Sequence, residues 1–291
     1  MFPAAFDYVR ADSVDDAVSL LTEHGDGDVE LLAGGHSLLP TIKSGLAAPD
    51  VLVDLSGVEE LATIEVDDDT STIGATTTYV EVTDHADLAH AVPDFAEAVA
   101  AIGDRQVRNV GTVGGNIAHA DPASDLPGVI LAADATLHVT GPDGDRAVSA
   151  DDFFLAMYTT DVGPAEVLTA VELPNLGEHD TGVYVKRSSP SSGYAMIGVA
   201  ARVFTDGETI TDARVAANGA FETARRLEPV EDALVDASIT EEVAADAAAR
   251  ATEDVEEWEL MDDVQVSSDF RGHLLEVYTE RALDRAFDRL G

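Results

Sequence analysis

No cysteine occurs among the 291 residues. That absence excludes a disulfide framework, thiolate-held zinc, a cysteine nucleophile and a cysteine-held iron–sulfur cluster within this chain. Positive charge is nearly as scarce. Two lysines and 14 arginines stand against 35 aspartates and 22 glutamates, a formal net charge of −41. Counterion release needs a basic face, so a general nucleic-acid binder is excluded and attachment to anionic lipid is disfavoured. No run of 18 apolar residues occurs, so no membrane-spanning helix is expected. The opening MFPAAFDYVR has neither the basic stretch nor the apolar stretch of a secretion signal, which points to a cytoplasmic protein. A charge this large repels itself in the compact state unless salt screens it, so a halophilic, salt-loaded cytoplasm is the expected setting.

What remains is enough to fold. Hydrophobic residues make up 45% of the chain and run through all of it, which argues against disorder. The length supports two or three units, each with its own core. Ser13 followed by VDDAVSLLTEHG predicts a capped helix, VELLA (29–33) and VLVDL (51–55) buried strands, and LLPTIKSG (38–45) one or two helical turns. LATIEV (61–66) and TSTIGATTT (70–78) predict a hairpin, residues 79–102 two or three short helices broken at Pro93, and 136–150 a second hairpin around Pro142-Asp143-Gly144. A boundary is expected near 175–181. Beyond it GVYVKRSS, YAMIGVAARVFT and TITDARVAANGA predict three strands, with helices over 223–235, 240–258 and 268–290. Trp258 and the apolar stripe of 268–290 are expected in the core, with Arg281, Arg285 and Arg289 as helix-surface charges.

Acid is unevenly spread. Residues 31–49 contain none, residues 102–120 contain only Asp104, and residues 182–205 contain none but do contain Lys186, Arg187 and Arg202. Burial accounts for such gaps, because core strands exclude carboxylates. A site for an anionic ligand accounts for them equally, because acids would repel it. The gaps also hold suitable chemistry. Ala33-Gly34-Gly35-His36-Ser37 sets a glycine pair between a strand and a short helix. Gly111-Thr112-Val113-Gly114-Gly115-Asn116 is a second glycine-rich turn with side-chain donors. Glycines let backbone N–H groups approach a phosphate, so two such turns can clasp a diphosphate without positive charge. The Gly-x-Gly-x-x-Gly fingerprint is absent, so a dinucleotide would be held in another fold than the Rossmann type. His85 and His90 are five apart and do not share a helix face, so a metal site there is not expected. Ser37 has no nucleophile elbow. His36 and His119 read as loop-ordering residues.

LLAGGHSLLP (31–40) followed by RQVRNVGTVGGNIAHADPASDLP (105–127) closely resembles the flavin-binding medium subunit of the molybdenum hydroxylases, the family of the aerobic carbon monoxide and xanthine dehydrogenases. The resemblance runs the whole length. It implies an α+β chain: a two-part FAD-binding domain of the PCMH, vanillyl-alcohol-oxidase-like type (1–57 and 58–177), then a C-terminal α+β domain (178–291) with a three-stranded antiparallel sheet and helices. It implies FAD diphosphate binding by Ala33, Gly34, Gly35, His36 and Ser37 and by Thr112, Val113, Gly114, Gly115 and Asn116. Gly74, Ala75, Thr76, Thr77 and Thr78 are implied to line the cofactor, with Asp125 on the adenosine side, Lys186 approaching the flavin and Tyr194 against its ring. Gly193 departs from the acid that many members carry before that aromatic. A molybdenum-cofactor large subunit and a small subunit with two [2Fe–2S] clusters are the implied partners, in a dimer of heterotrimers. A compact ammonium such as Lys186 beside a flavin stabilises negative charge on the reduced ring. A self-sufficient flavin oxidase and a flavin-free scaffold stay open as alternatives.

Overall fold

The computed structural model describes residues 3–291. The chain begins with β1 (Asp7–Arg10), α1 (Val14–Glu23), β2 (Val29–Leu32), α2 (Leu38–Ser44) and β3 (Val51–Asp54). The three strands form a parallel sheet in the order β1-β3-β2, with each crossover made by a helix. Ser13 caps α1 by accepting from the Asp16 N–H, and Ala17, Val18 and Leu21 turn its apolar face inward.

Next come β4 (Ile64–Val66), β5 (Thr70–Gly74) and a run of short helices: α3 (Tyr79–Asp84), α4 (Ala86–Ala91), α5 (Pro93–Ala100), α6 (Arg105–Arg108), α7 (Val113–His119) and α8 (Leu126–Ala132). The short helices expected over 79–102 are three, and the break falls at Pro93. It opens α5, where its missing N–H costs nothing. His85 caps α4, its Nδ1 accepting from the Leu88 N–H, which is a structural role. Then follow β6 (Thr136–Gly141), β7 (Gly144–Ser149), α9 (Ala150–Phe153), β8 (Phe154–Ala156), β9 (Thr159–Thr160) and β10 (Val167–Pro174). The second sheet is antiparallel, in the order β4-β5-β10-β6-β7. Its central strand, β10, was not expected from the sequence. A register shift at Leu168/Ala170 disturbs the two-residue alternation that marks a strand. Helices α7 and α8 were also unforeseen. α7 lies under the glycine motif, and α8 is buried along its whole length and so carries no polar face to signal period.

The last unit holds β11 (Thr181–Ser188), β12 (Ala195–Thr205), β13 (Ile210–Asn218), β14 (Arg225–Arg226), α10 (Glu228–Leu234), α11 (Glu241–Ala248) and α12 (Ser268–Leu290). Its sheet has four strands, not three, because Arg225 and Arg226 pair with Ala217 and Ala216. The helix expected over 240–258 stops at Ala248, and the acid-rich TEDVEE beyond it has no apolar face to bury. Trp258 is correspondingly 82% exposed and takes no part in the core. The sheet is buried on both faces. Tyr184, Ala200 and Ala216 pack against the helices of the middle unit, whereas Val183, Val199 and Val215 pack against α10–α12. Arg285 and Arg289 are not ordinary surface charges. Both leave α12 to meet Glu97 on α5, and their second nitrogens donate to the carbonyls of Tyr184 and Gly182. No described helix is long and apolar enough to cross a membrane.

Candidate cofactor site

A cavity of about 720 Å³ runs between the three sheets, at the upper end of the size range for ligand and cofactor pockets. Its wall takes Ala33–Leu38 from the β2–α2 loop, Ala75 and Thr76 after β5, Thr112 and Gly114–Asn116 at the start of α7, and Asp125, Lys186 and Tyr194. Three stretches of chain more than thirty residues apart thus meet as the two motifs require.

The two glycine turns differ in chemistry. Gly35 has φ +70°, the left-handed region, and a Cβ on Gly34 would overlap the Val110 carbonyl. The first loop therefore lies backbone against backbone on the chain entering the second. Among the described residues, nothing accepts from the N–H groups of Gly34, Gly35, His36 or Ser37. Four free donors in succession beside a cavity suit an oxyanion, since such groups are seldom left without a partner. The second loop has no such reserve. Val113 N–H donates to Thr77 O (3.0 Å), Gly114 N–H to Ala75 O (2.8 Å) and Asn116 N–H to Thr112 O (3.1 Å). Gly115 N–H donates to the capping Thr112 Oγ1 at 3.3 Å. The Asn116 side chain is spent too, donating to Tyr79 Oη (2.9 Å) and accepting from Ser124 Oγ (2.8 Å). The two turns therefore offer different surfaces to the cavity. The first loop has free backbone donors, and the second is a close wall on which only small residues fit.

Four of the expected residues do not reach the cavity wall, Thr78 among them because it caps α3 with Glu81. A Cβ on Gly74 would overlap the Leu61 carbonyl, so its glycine serves strand packing. Thr77 is buried and donates its hydroxyl to Thr63 O at 3.1 Å. Val113 is fully buried in the core of the middle unit. Asp125 and Lys186, expected at opposite ends of the cofactor, stand together instead. Lys186 Nζ lies 2.7 Å from Asp125 Oδ2, both side chains being almost wholly buried. Burial pushes the Asp125 carboxyl up, and the Lys186 ammonium and the Tyr184 hydroxyl oppose that shift.

At the rim, Tyr194 and Tyr158 are about half exposed. The Tyr158 ring packs 5.2 Å from that of His119, whose pKa burial pulls down against the pull of Asp121. Tyr158 itself was not foreseen. It sits between β8 and β9 with φ +56°, held by its N–H donating to Ala120 O, and no local pattern announces that contact. His36 and His119 both line the cavity, His119 near the rim beside Tyr158. Among the described residues no group of three or more His, Asp and Glu is placed to hold a metal ion.

Residues 4–176 match the family model of the FAD binding domain in molybdopterin dehydrogenase, and residues 184–286 that of the CO dehydrogenase flavoprotein C-terminal domain. The chain is 34% identical to the glyceraldehyde dehydrogenase medium chain of Sulfolobus acidocaldarius over 282 residues, 97% of this chain and 98% of that one. It is 35% identical to the carbon monoxide dehydrogenase medium chain of Hydrogenophaga pseudoflava over 292 aligned positions, 99% of each. The solved structure of the carbon monoxide dehydrogenase from that organism superposes with a TM-score of 0.95, covering 100% of both chains at 35% identity. Quinoline 2-oxidoreductase from Pseudomonas putida superposes with a TM-score of 0.92 at 32% identity, covering 100% of this chain and 99% of that one. With both halves matched and the glycine loops at one cavity, the chain belongs to the FAD-containing medium subunits of the molybdenum hydroxylases.

Proposed function

We propose that this chain holds FAD at the electron exit of a heterotrimeric molybdenum hydroxylase, between a [2Fe–2S] small subunit and an external acceptor. Substrate oxidation belongs to a molybdenum-cofactor large subunit. The observation that carries this reading is the row of free N–H groups over Gly34–Ser37, opening on a cavity large enough for a dinucleotide. When bound, FAD supplies the ability to exchange electrons both singly and in pairs, which clusters and an acceptor of different stoichiometry require. The chain's own residues bind and shield. The first loop binds the diphosphate, Ala75, Thr76 and Thr112–Asn116 shape the wall, Lys186 brings positive charge, and Tyr158 and Tyr194 narrow the mouth. The absence of cysteine supports the assignment of the clusters to a partner chain. Each of the divisions 1–57, 58–177 and 178–291 contains one of the three larger sheets, which supports them, and a dimer of heterotrimers completes the reading.

The test is FAD content. Full-length chain purified with its partners should release about one FAD per medium chain on denaturation; a colourless complex would overturn the assignment and favour a scaffold role. Oxidation of simple aldehydes or alcohols by this chain without partners would favour the self-sufficient oxidase instead.

The cytoplasmic, salt-rich setting rests on the −41 charge. Screening lengths shrink from about 10 Å at 0.1 M salt to about 3 Å at 1 M, so self-repulsion of the acid surplus is largely removed by molar salt. Moving from molar to decimolar KCl is expected to lower the melting temperature by on the order of 10 °C. A melting temperature indifferent to salt would reject that account.

A further inference from the structure

Tyr184 is 3% exposed and lies outside the cavity wall, yet its hydroxyl reaches Asp125 Oδ1 at 2.5 Å. The other oxygen of the same carboxylate receives Lys186 Nζ at 2.7 Å. Tyr184 and Lys186 are two apart on β11, so both side chains leave the same face of the strand and converge on one acid. Lys186 makes one further contact, to Ala101 O at 3.3 Å. With an oxygen committed to each donor, the carboxylate has one orientation. We propose that Tyr184 is a positioning residue for the cofactor site: its hydroxyl fixes the Asp125 carboxylate, which holds the Lys186 ammonium at the cavity wall.

The surroundings show that the hydroxyl, and not merely the ring, is accommodated. Gly198 on β12 stands opposite Lys186 in the register, and a Cβ there would overlap the Tyr184 oxygen. A phenylalanine would fill the core without that oxygen. Burying a hydroxyl is unfavourable unless it is bonded, so its retention marks the bond it makes. The phenol's single proton goes to Asp125, which is closer and charged, rather than to Asn218 Oδ1 at 3.3 Å. Asn218, on β13 beside β12, pairs with Gly198, and its Nδ2 has no partner among the described residues. A half-turn of that amide would bring Nδ2 to the phenol oxygen as a donor, completing a line from Asn218 through Tyr184 to Asp125.

This inference rests on the FAD reading of the cavity, and a double-mutant cycle separates the two. The rate of FAD release from the full-length chain in its complex is followed by the rise of free-FAD fluorescence. Tyr184→Phe is expected to speed release about tenfold, and Lys186→Met more. The double variant should match Lys186→Met alone, because Tyr184 acts only through that ammonium. A ring with a merely structural role would multiply the two effects, and such additivity would overturn the inference, as would a Tyr184→Phe chain with unchanged release. Tyr184→4-aminophenylalanine restores a donor at the same place and should return release to the parent rate. Melting of the FAD-free chain, expected to fall only slightly in Tyr184→Phe because Lys186 still pairs the carboxylate, distinguishes lost positioning from a lost fold; if Tyr184→Phe melts far earlier, failure of the amino variant to retain FAD at the parent rate overturns the inference instead. Lys186→Met releasing FAD no faster than the parent would overturn the cavity assignment itself, a different failure from that of Tyr184 alone.

Discussion

Arg202→Met should destabilise the chain by about 3–5 kcal/mol, lowering the melting temperature by roughly 6–10 °C, because it leaves a buried carboxylate without its partner. Arg202 lies on β12 and is 1% exposed, and Asp94 on α5 is fully buried. Nε donates to Asp94 Oδ2 at 2.7 Å and Nη2 to Oδ1 at 3.1 Å, a two-pronged pair, while Nη1 donates to Pro174 O at 2.7 Å. The guanidinium therefore ties the C-terminal sheet both to the helices of the middle unit and to the end of its central strand. Desolvating two charges offsets much of their attraction, so the pair adds little net stability compared with apolar residues of similar shape. Removing one member is a different matter. The double variant Arg202→Met/Asp94→Leu should recover most of the loss, measured by thermal melting in molar salt. A single variant that melts like the parent would show that water or another cation reaches Asp94, contrary to the packing described.

Gly115→Asp should abolish FAD retention while leaving the fold largely intact. A Cβ at position 115 meets Thr112 Oγ1 at 2.6 Å, displacing the hydroxyl that caps α7, and stands 3.6 Å from Ala33 Cβ across the gap between the loops. Anything beyond a hydrogen here enters the cavity beside the first loop. A carboxylate about 4 Å from a phosphate oxygen costs on the order of 4 kcal/mol at an effective dielectric constant near 20, roughly a thousandfold in affinity. Gly115→Ala, with the steric part alone, should retain more FAD. The measurement is the ratio of flavin to protein absorbance after gel filtration, with circular dichroism as the check on folding. Full occupancy in Gly115→Asp would remove the diphosphate from between these loops.

The gaps in the acid distribution fall in two different structural settings. The acid-poor stretches 31–49 and 102–120 both supply the cavity wall, through Leu31, Ala33–Leu38, Thr41 and Ala47 in the first and Ile102, Gly103, Val107, Gly111, Thr112, Gly114–Asn116, Ala118 and His119 in the second. There the lack of acid fits the binding of an anion, although Glu30, Asp121, Asp125 and Glu166 from outside these stretches also line the cavity. The third stretch, 182–205, is empty of acid chiefly because β11 and β12 are buried on both faces, and only Lys186 and Ser192–Tyr194 touch the cavity. Composition alone leaves these two settings indistinguishable, since the stretches in both are poor in acid.

Residue type and spacing along the chain located the glycine turns, and the resemblance of the motifs around them pointed to the family. Missing cysteine sends the clusters elsewhere, and missing base excludes nucleic acid. Regular periods likewise placed the helix at 268–290, β2 and β3 of the first unit and β11–β13 of the last, but not β1 or β14. Which N–H groups are free became visible only in the folded chain. Gly34 and Gly114 look alike in sequence, yet Gly114 N–H is taken by Ala75, nearly forty residues away. Folding also joined Asp125 to Lys186 and Tyr184, exposed Trp258, and turned Arg285 and Arg289 from surface charges into ties to Glu97. Each of these rests on contacts between distant segments, and no local propensity encodes a partner that arrives only when the sheets close around the cavity.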